Sequence, residues 1–367
     1  MIEMRSDTFT LPTQEMLQAI QTARLGDDVY GEDPTVNQLQ ELAAKKIGKE
    51  AALLMPSGTM ANLSTLLAQC QRGTKILVGN ESDIYIYEAG GASICGGLVY
   101  EPLPTQSNGE ILLGDIKNAF PDNPSDPQYV LPALLCLENP HNRMGGIPLS
   151  LKYLRSVYKF AHDHNIPVHM DGARVFNAAV AQKIQPQKIA QYADTVMFCL
   201  SKGLSAPIGS IIAGPAYVIK KIHSVRKMLG GGMRQAGIIA APGIVALQDI
   251  GDRLKYDHEN AALFASGFFA TQMRKGLHLY DHENAALFAS GLQKIQGVEI
   301  VNQVVTNTIL FRLTDTTFSE QKLIELLHKK GLNISDFGHG RLRAVTHLGI
   351  TKDDVRTAVK IIASVLK

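Results

Sequence analysis

Ile166-Pro167-Val168-His169-Met170-Asp171-Gly172-Ala173-Arg174 reads as a buried strand that ends in an acidic residue. Alternation along the strand puts His169 and Asp171 on one face. Thirty-one residues after Asp171 comes Lys202, in Phe198-Cys199-Leu200-Ser201-Lys202-Gly203, at the end of a second apolar strand. Further short apolar runs stand at 75–79, 133–137 and 208–213. Helical stretches at 149–164 and 216–228 lie between or beside them, after helical periodicity at 36–48 and 59–70. Alternating β and α units predict a mostly parallel sheet covered on both faces. Ligands of such sheets bind at the carboxyl ends of the strands, where Asp171 and Lys202 both stand.

A carboxylate and a lysine at one sheet edge suit a particular chemistry. The lysine can form an imine with an aldehyde cofactor, pyridoxal 5′-phosphate (PLP). The carboxylate can keep the pyridine nitrogen protonated, so that the ring accepts electrons. Taken singly, Asp171 could cap the next helix and Lys202 could be a solvated strand-end lysine; the pairing and its context point to the cofactor. Ser57-Gly58-Thr59 opens a helix, and its small residues let backbone N–H groups approach a phosphate at the positive helix end. The segment KMLGGGMRQAG at 227–237 sets three glycines beside Lys227 and Arg234, a candidate anion-binding loop. Neither G-x-x-x-x-G-K-[ST] nor a G-x-G-x-x-G after the first strand is found, which argues against a nucleotide-dependent α/β enzyme.

The whole-chain balance excludes several classes. The 367 residues carry 36 Lys and Arg against 34 Asp and Glu, a net charge of +2. That offers no general attraction for nucleic acid or an anionic membrane. No run of ~18 apolar residues suits a membrane span. The four cysteines, at 70, 95, 136 and 199, form no C-x-x-C pair or cluster. They suggest neither a disulfide framework nor a zinc site, and free thiols suit a reducing compartment. His162, His164 and His169 have poor geometry for a shared metal, so no metal site is expected. The N-terminus has no apolar signal core, and the expected location is the cytoplasm.

Beyond about residue 250 the pattern changes. Strands are predicted near 298–301, 308–313 and 342–346, with helices at 319–330 and from Thr351, which forms a capping-box pair with Asp354. The division expected is an N-terminal arm plus large domain over 1–250 and a smaller C-terminal α+β domain over 251–367. One stretch is duplicated: YDHENAALFASG stands at 256–267 and again, letter for letter, at 280–291. Two copies do not make a solenoid. In a continuous helix a 24-residue shift amounts to six turns plus ~240°, so the added segment should bulge out or form a hairpin. No chemistry is assigned to it.

Taken together, these motifs resemble the low-specificity L-threonine aldolases, PLP enzymes of the aspartate-aminotransferase-type fold (fold type I). The resemblance spans nearly the whole chain. It rests on RSDT from Arg5, GDDVYGEDPT from Gly26, PSGTMAN from Pro56, ENPHNRMGG from Glu138, HMDGARVFNA from His169, FCLSKGL from Phe198, KMLGGGMRQAG from Lys227 and RAVTH from Arg343.

The resemblance implies a PLP-dependent retro-aldol cleavage of L-threonine, L-allo-threonine and related β-hydroxy-α-amino acids to glycine and an aldehyde. It places the protein in threonine catabolism and glycine formation. Lys202 would hold PLP and Asp171 would face the pyridine nitrogen. Ser57, Gly58 and Thr59 would cradle the phosphate. Arg174 would sit near the ring hydroxyl and the substrate carboxylate, which Ser6 and Arg343 would also bind, a guanidinium suiting it through paired hydrogen bonds. Lys227 and Arg234 would reach a neighbouring subunit's site in a homotetramer, a dimer of dimers. Tyr30 would line the site, and His141 would lie near the substrate hydroxyl. At Asp83 the family usually has a histidine that stacks on the cofactor ring; at Pro140 it usually has threonine. The catalytic base is then His141 or, second, a water held by Asp83. Asp83 also keeps open a PLP-dependent β-eliminating lyase, and a PLP-binding protein that has lost activity.

Overall fold

The structure is a computed structural model that describes residues 1–248, 277–314 and 319–366. Among the described residues the large unit is a seven-stranded sheet. Its strands are β2 (Ala51–Met55), β3 (Lys75–Gly79), β4 (Val99–Leu103), β5 (Pro132–Glu138), β6 (Val168–Asp171), β7 (Thr195–Cys199) and β8 (Ser210–Gly214), after a short β1 (Ile2–Glu3) elsewhere. The order is β2-β8-β7-β6-β5-β3-β4. From β4 to β7 the strands run parallel, while β8 is antiparallel to both β7 and β2. β2 therefore runs in the same sense as β7, and its carboxyl end joins the same edge.

Strands covered on both faces read as continuous apolar runs, and β6, β7 and β8 are buried throughout. Alternation sorts their side chains. Leu54, Met170, Phe198 and Ile211 share a core with Val36, Leu39 and Ile47 of the helix Pro34–Ile47. Leu53, Met55, Met197 and Ile212 face the other way, onto Ala61 of the helix Gly58–Gln69 and Ile222 of the helix Ala216–Met228.

The smaller unit is a sheet ordered β12-β13-β10-β9, made of β9 (Val298–Ile300), β10 (Thr308–Leu313), β12 (Ser335–Asp336) and β13 (Leu342–Val345). The helices Leu277–Leu292, Glu320–Lys329 and Lys352–Val365 pack on it around Phe288, Phe311, Leu323 and Ile362. Thr351 and Asp354 form the expected capping box. β1 pairs in parallel with β11 (Leu332–Asn333), and Met4 is fully buried in this second core. The first residues of the chain thus pack with its last hundred. The second copy of YDHENAALFASG lies on the helix Leu277–Leu292. The first copy, the shape expected of the added segment and a boundary at 250 lie outside the described residues. No helix among the described residues is long and apolar enough to cross a membrane.

Candidate active site

The carboxyl ends of β2, β3, β6 and β7 face a cavity of ≈ 360 Å³, at the small end of the roughly 300–1,000 Å³ of small-molecule sites. Asp171 and Lys202 stand in its wall together with Ser57, Gly58 and Thr59. Asp83, Tyr87 and Glu88 close one side, and Ser201, Ile208 and Gly209 another. Parallel strands β6 and β7 put Asp171 and Lys202 at one edge, as the sequence pattern required.

Local sequence explains each wall. Ser57 caps the helix Gly58–Gln69, its side chain accepting from the N–H of Met60. The first turn of the helix then points its N–H groups at the cavity. A Cβ on Gly58 would stand 2.8 Å from Met197 Cε and 3.1 Å from Cys199 Sγ, so glycine lets the helix start sit against β7. Gly209 has φ +105°, left-handed backbone that glycine adopts at least cost.

Asp171 is buried at the end of β6. It accepts hydrogen bonds from Asn62 Nδ2 at 2.8 Å and from the N–H of Ala173 at 3.0 Å. Burial raises its pKa, while the Lys202 ammonium pulls it back. His169 shares its face as expected: His169 Nε2 lies 2.9 Å from Asn62 Oδ1, and Nδ1 lies 3.0 Å from Thr195 Oγ1. Burial lowers the His169 pKa to about 4.

A second group of charges lies beside the cavity. Arg174 donates Nε and Nη2 to the two carboxylate oxygens of Asp7, both at 2.7 Å, with both side chains buried. Burial alone would raise the Asp7 carboxyl; Arg174, then Lys202 and Arg343, hold it far below its ordinary value. Arg343 on β13 donates to Asn142 Oδ1 at 3.2 Å and to the carbonyl of Arg5 at 3.1 Å, and it lies over the Phe337 ring. Burial, then the neighbouring Arg174, lower its pKa to about 10. Its Nε is buried without a partner. Ser6 caps the short turn at Asp7, its hydroxyl accepting from the N–H of Thr8.

Asp83 lies in the cavity wall, where Asn142 Nδ2 holds it at 3.2 Å. Glu138 clamps both neighbours: its carboxylate accepts from the backbone N–H of Asp83 at 2.8 Å and of Asn142 at 2.7 Å. His141 follows a cis Asn139–Pro140 bond and is buried outside the cavity lining; neither ring nitrogen has a hydrogen-bond partner, and Nδ1 lies 3.8 Å from Glu138 Oε1. Burial brings its pKa down to about 4, against the pull of Asp83 and Glu81. Tyr30 is largely exposed, with Arg234 over its ring, and Arg234 pairs with Asp27 at 2.8 Å. Lys227 packs by Gly232. Tyr30, Lys227 and Arg234 do not line the cavity of their own chain.

The structure adds groups to which the motif reading gave no role. Asp7, Asn62, Glu138 and Asn142 all lie inside quoted motifs, but their partners come from distant segments. Glu88 ends the stretch at 80–88 that carries Asp83, and the motif reading gave it no role either. It accepts from Asn62 Nδ2 at 2.8 Å. Burial pushes its pKa up to about 8, Asp171 adding to the push.

PLP can be tested against these residues. A buried carboxylate braced by two donors, a lysine in the same wall, a helix start shaped by glycine and a buried guanidinium nitrogen without a partner match its ring nitrogen, its aldehyde, its phosphate and a substrate carboxylate. The residues fit the cofactor.

The profile of the beta-eliminating lyases matches residues 3–276. The low specificity L-threonine aldolase of Escherichia coli (strain K12) is 46% identical over 265 residues, 72% of this chain and 78% of that protein. The low-specificity L-threonine aldolase 1 of Arabidopsis thaliana is 38% identical over 357 residues, 96% of this chain and 93% of that protein. Among solved structures, a Leishmania major threonine aldolase superposes with a TM-score of 0.79 over 100% of both chains at 16% identity. A Sphingomonas wittichii serine palmitoyltransferase does so with 0.73 over 99% of this chain and 86% of that one at 15% identity. At these identities the superpositions speak for the fold alone, and that fold is the type I fold of PLP enzymes expected from the sequence. With the profile spanning most of its length and relatives at these identities, the chain belongs to the beta-eliminating lyase family and, as its motifs suggested, to the low-specificity L-threonine aldolases.

Proposed function

We propose that the protein is a PLP-dependent carbon–carbon lyase that splits L-threonine, L-allo-threonine and related β-hydroxy-α-amino acids into glycine and an aldehyde. The observation that carries this reading is the convergence of Asp171, Lys202 and the Ser57–Thr59 helix start on one cavity. When bound there, the cofactor supplies an electron-poor ring that takes up the electron pair of the broken Cα–Cβ bond.

The chain's own residues do the rest. Lys202 Nζ would hold the cofactor's aldehyde carbon. The Asp171 carboxylate would keep the pyridine nitrogen protonated, a task that burial strengthens by removing competing water. Backbone N–H groups at Gly58 and Thr59 would hold the phosphate. Arg174, fixed in orientation by Asp7, and Arg343, with a free Nε, would clamp the substrate carboxylate. Clamping would fix the orientation of the substrate's Cα bonds and so select the one that is cleaved. For the proton on the β-hydroxyl oxygen, Asp83 is the better placed acceptor, directly or through a water, because it lies in the cavity wall and Asn142 holds it. His141 is buried and does not line the cavity.

Lys227 and Arg234, which do not line the cavity of their own chain, would reach a neighbour's site in a tetramer with shared sites. Mixing Lys227→Ala and Lys202→Ala chains should then restore some activity, because one mixed site carries neither change. The free cysteines support a cytoplasmic role in threonine breakdown.

The test is direct. PLP-loaded protein is given L-threonine and L-allo-threonine, and glycine and acetaldehyde are quantified beside Lys202→Ala. Equimolar products that vanish in the control support the aldolase. Pyruvate and ammonia instead would move the reading to β-elimination, and a coloured but silent protein to a PLP binder without activity.

A further inference from the structure

One side-chain amide serves two acids in this site. Asn62 donates from Nδ2 to Asp171 Oδ2 and to Glu88 Oε1, each at 2.8 Å, while its Oδ1 faces His169 Nε2 at 2.9 Å. The amide cannot turn over without setting an oxygen against two carboxyl groups. Thr195 Oγ1 braces the far side of His169.

Glu88 is the unexplained member. It stands in the cavity wall with Asp83 and Asp171, and Lys202 is the one ammonium in that wall. Among the described residues no lysine or arginine lies within ion-pair distance of Glu88. Two carboxylates bridged by a single amide in a buried site repel each other, and the one without a cation takes up a proton. Asp171 keeps its charge because the protonated ring nitrogen needs it, a step that rests on the function proposed above.

We propose that Glu88 is a positioning residue: a neutral carboxyl that accepts one N–H of Asn62 and thereby holds the other on Asp171. Its own pKa, pushed up by burial, agrees with that state. The titratable groups that face it are Asp171, Asp83, Lys202, Tyr100 and Cys136. The inference differs from a structural role in one respect. A neutral acceptor can be replaced by an amide, since Gln carries the same carbonyl oxygen without a charge.

The experiment compares full-length wild type, Glu88→Gln, Glu88→Ala and Asn62→Ala, reading PLP affinity and the pH dependence of the absorption band of the Lys202-bound cofactor. Losing the Asn62 hydrogen bond to the Asp171 carboxylate, directly in Asn62→Ala and by freeing the amide in Glu88→Ala, should weaken cofactor binding about tenfold and displace the band's titration in the same direction in both. Glu88→Gln should stay within about twofold of wild type in affinity and keep its titration. Glu88→Gln behaving like Glu88→Ala would overturn the proposal, because the charge would then be what matters. Glu88→Ala matching wild type would also overturn it. A wild-type chain that takes up no PLP at all would instead sink the reading of the site beneath it, and the measured wild-type affinity separates the two failures.

Discussion

Arg174 and Asp7 show what a buried charge demands of its partner. Each is well shielded from solvent, and each is matched in a two-point contact. Breaking such a pair from one side strands the other charge, at about 3–5 kcal/mol. Asp7→Ala should therefore lower the unfolding free energy obtained from urea denaturation by an amount in that range, and Arg174 should lose its orientation toward the substrate carboxylate. The buried histidines set a pH dependence. His141 and His169 titrate near their ordinary 6.5 in the unfolded chain and at about 4 when folded. The unfolded state then binds more protons between those values, so stability is fully present above pH 6.5 and falls as pH drops toward 4. Each contributes roughly 3 kcal/mol at most. Glu88 has the opposite sign: its stabilising effect is present below its ordinary 4.5 and fades as pH rises through about 8. Unfolding free energies measured across this range should fall on the acid side with a slope that His141→Asn reduces. Both histidines were visible in the sequence as residues. Their burial was not, because it depends on segments distant in the chain.

Among the elements, the helix Gly58–Gln69 matters most. One end offers N–H groups to the cavity, and its inner face carries Asn62 against Asp171. Gly58→Ala would press a methyl group toward Met197 and Cys199. Because the Met197 methyl can move, stability should fall by less than ~2 kcal/mol. PLP affinity should fall more than about tenfold, because the helix start is displaced from the phosphate. Fluorescence titration with PLP beside a denaturation curve reads both. The elements that follow simple periodicity were legible from sequence: β3 and the helix Ala216–Met228 fall on their expected bounds, and the capping box at Thr351 is formed. Within the large sheet, two strands were not. β2 is Ala-Ala-Leu-Leu-Met, a composition that favours helix, and it is extended because β8 pairs with it. β4 contains Pro102, tolerated because this strand is the sheet's edge.

At the scale of the whole molecule, the first residues tie the two units together. β1 pairs with β11, Met4 is buried in the smaller core, and three residues later Asp7 holds Arg174 beside the cavity. Arg343 closes the link from the other side through the carbonyl of Arg5. Met4→Ala should cost about 2–5 kcal/mol as a core truncation, measurable by chemical denaturation. It should also raise KM for the amino acid more than it changes PLP affinity, since the carboxylate clamp depends on this junction and the cofactor cradle does not.

By itself the sequence determined the strand-and-helix alternation, the meeting of Asp171 and Lys202 at one sheet edge, and the helix start at Ser57. These follow from local periodicity and from the rule that parallel strands share their carboxyl edge. Only the tertiary structure decided that Asn62 joins Asp171 to Glu88, that Glu138 clamps Asp83 to Asn142, and that Asp83 faces the cavity while His141 is buried outside its lining. Those contacts join residues tens to hundreds of positions apart. Their geometry and charge states arise only when packing removes water and brings the segments together.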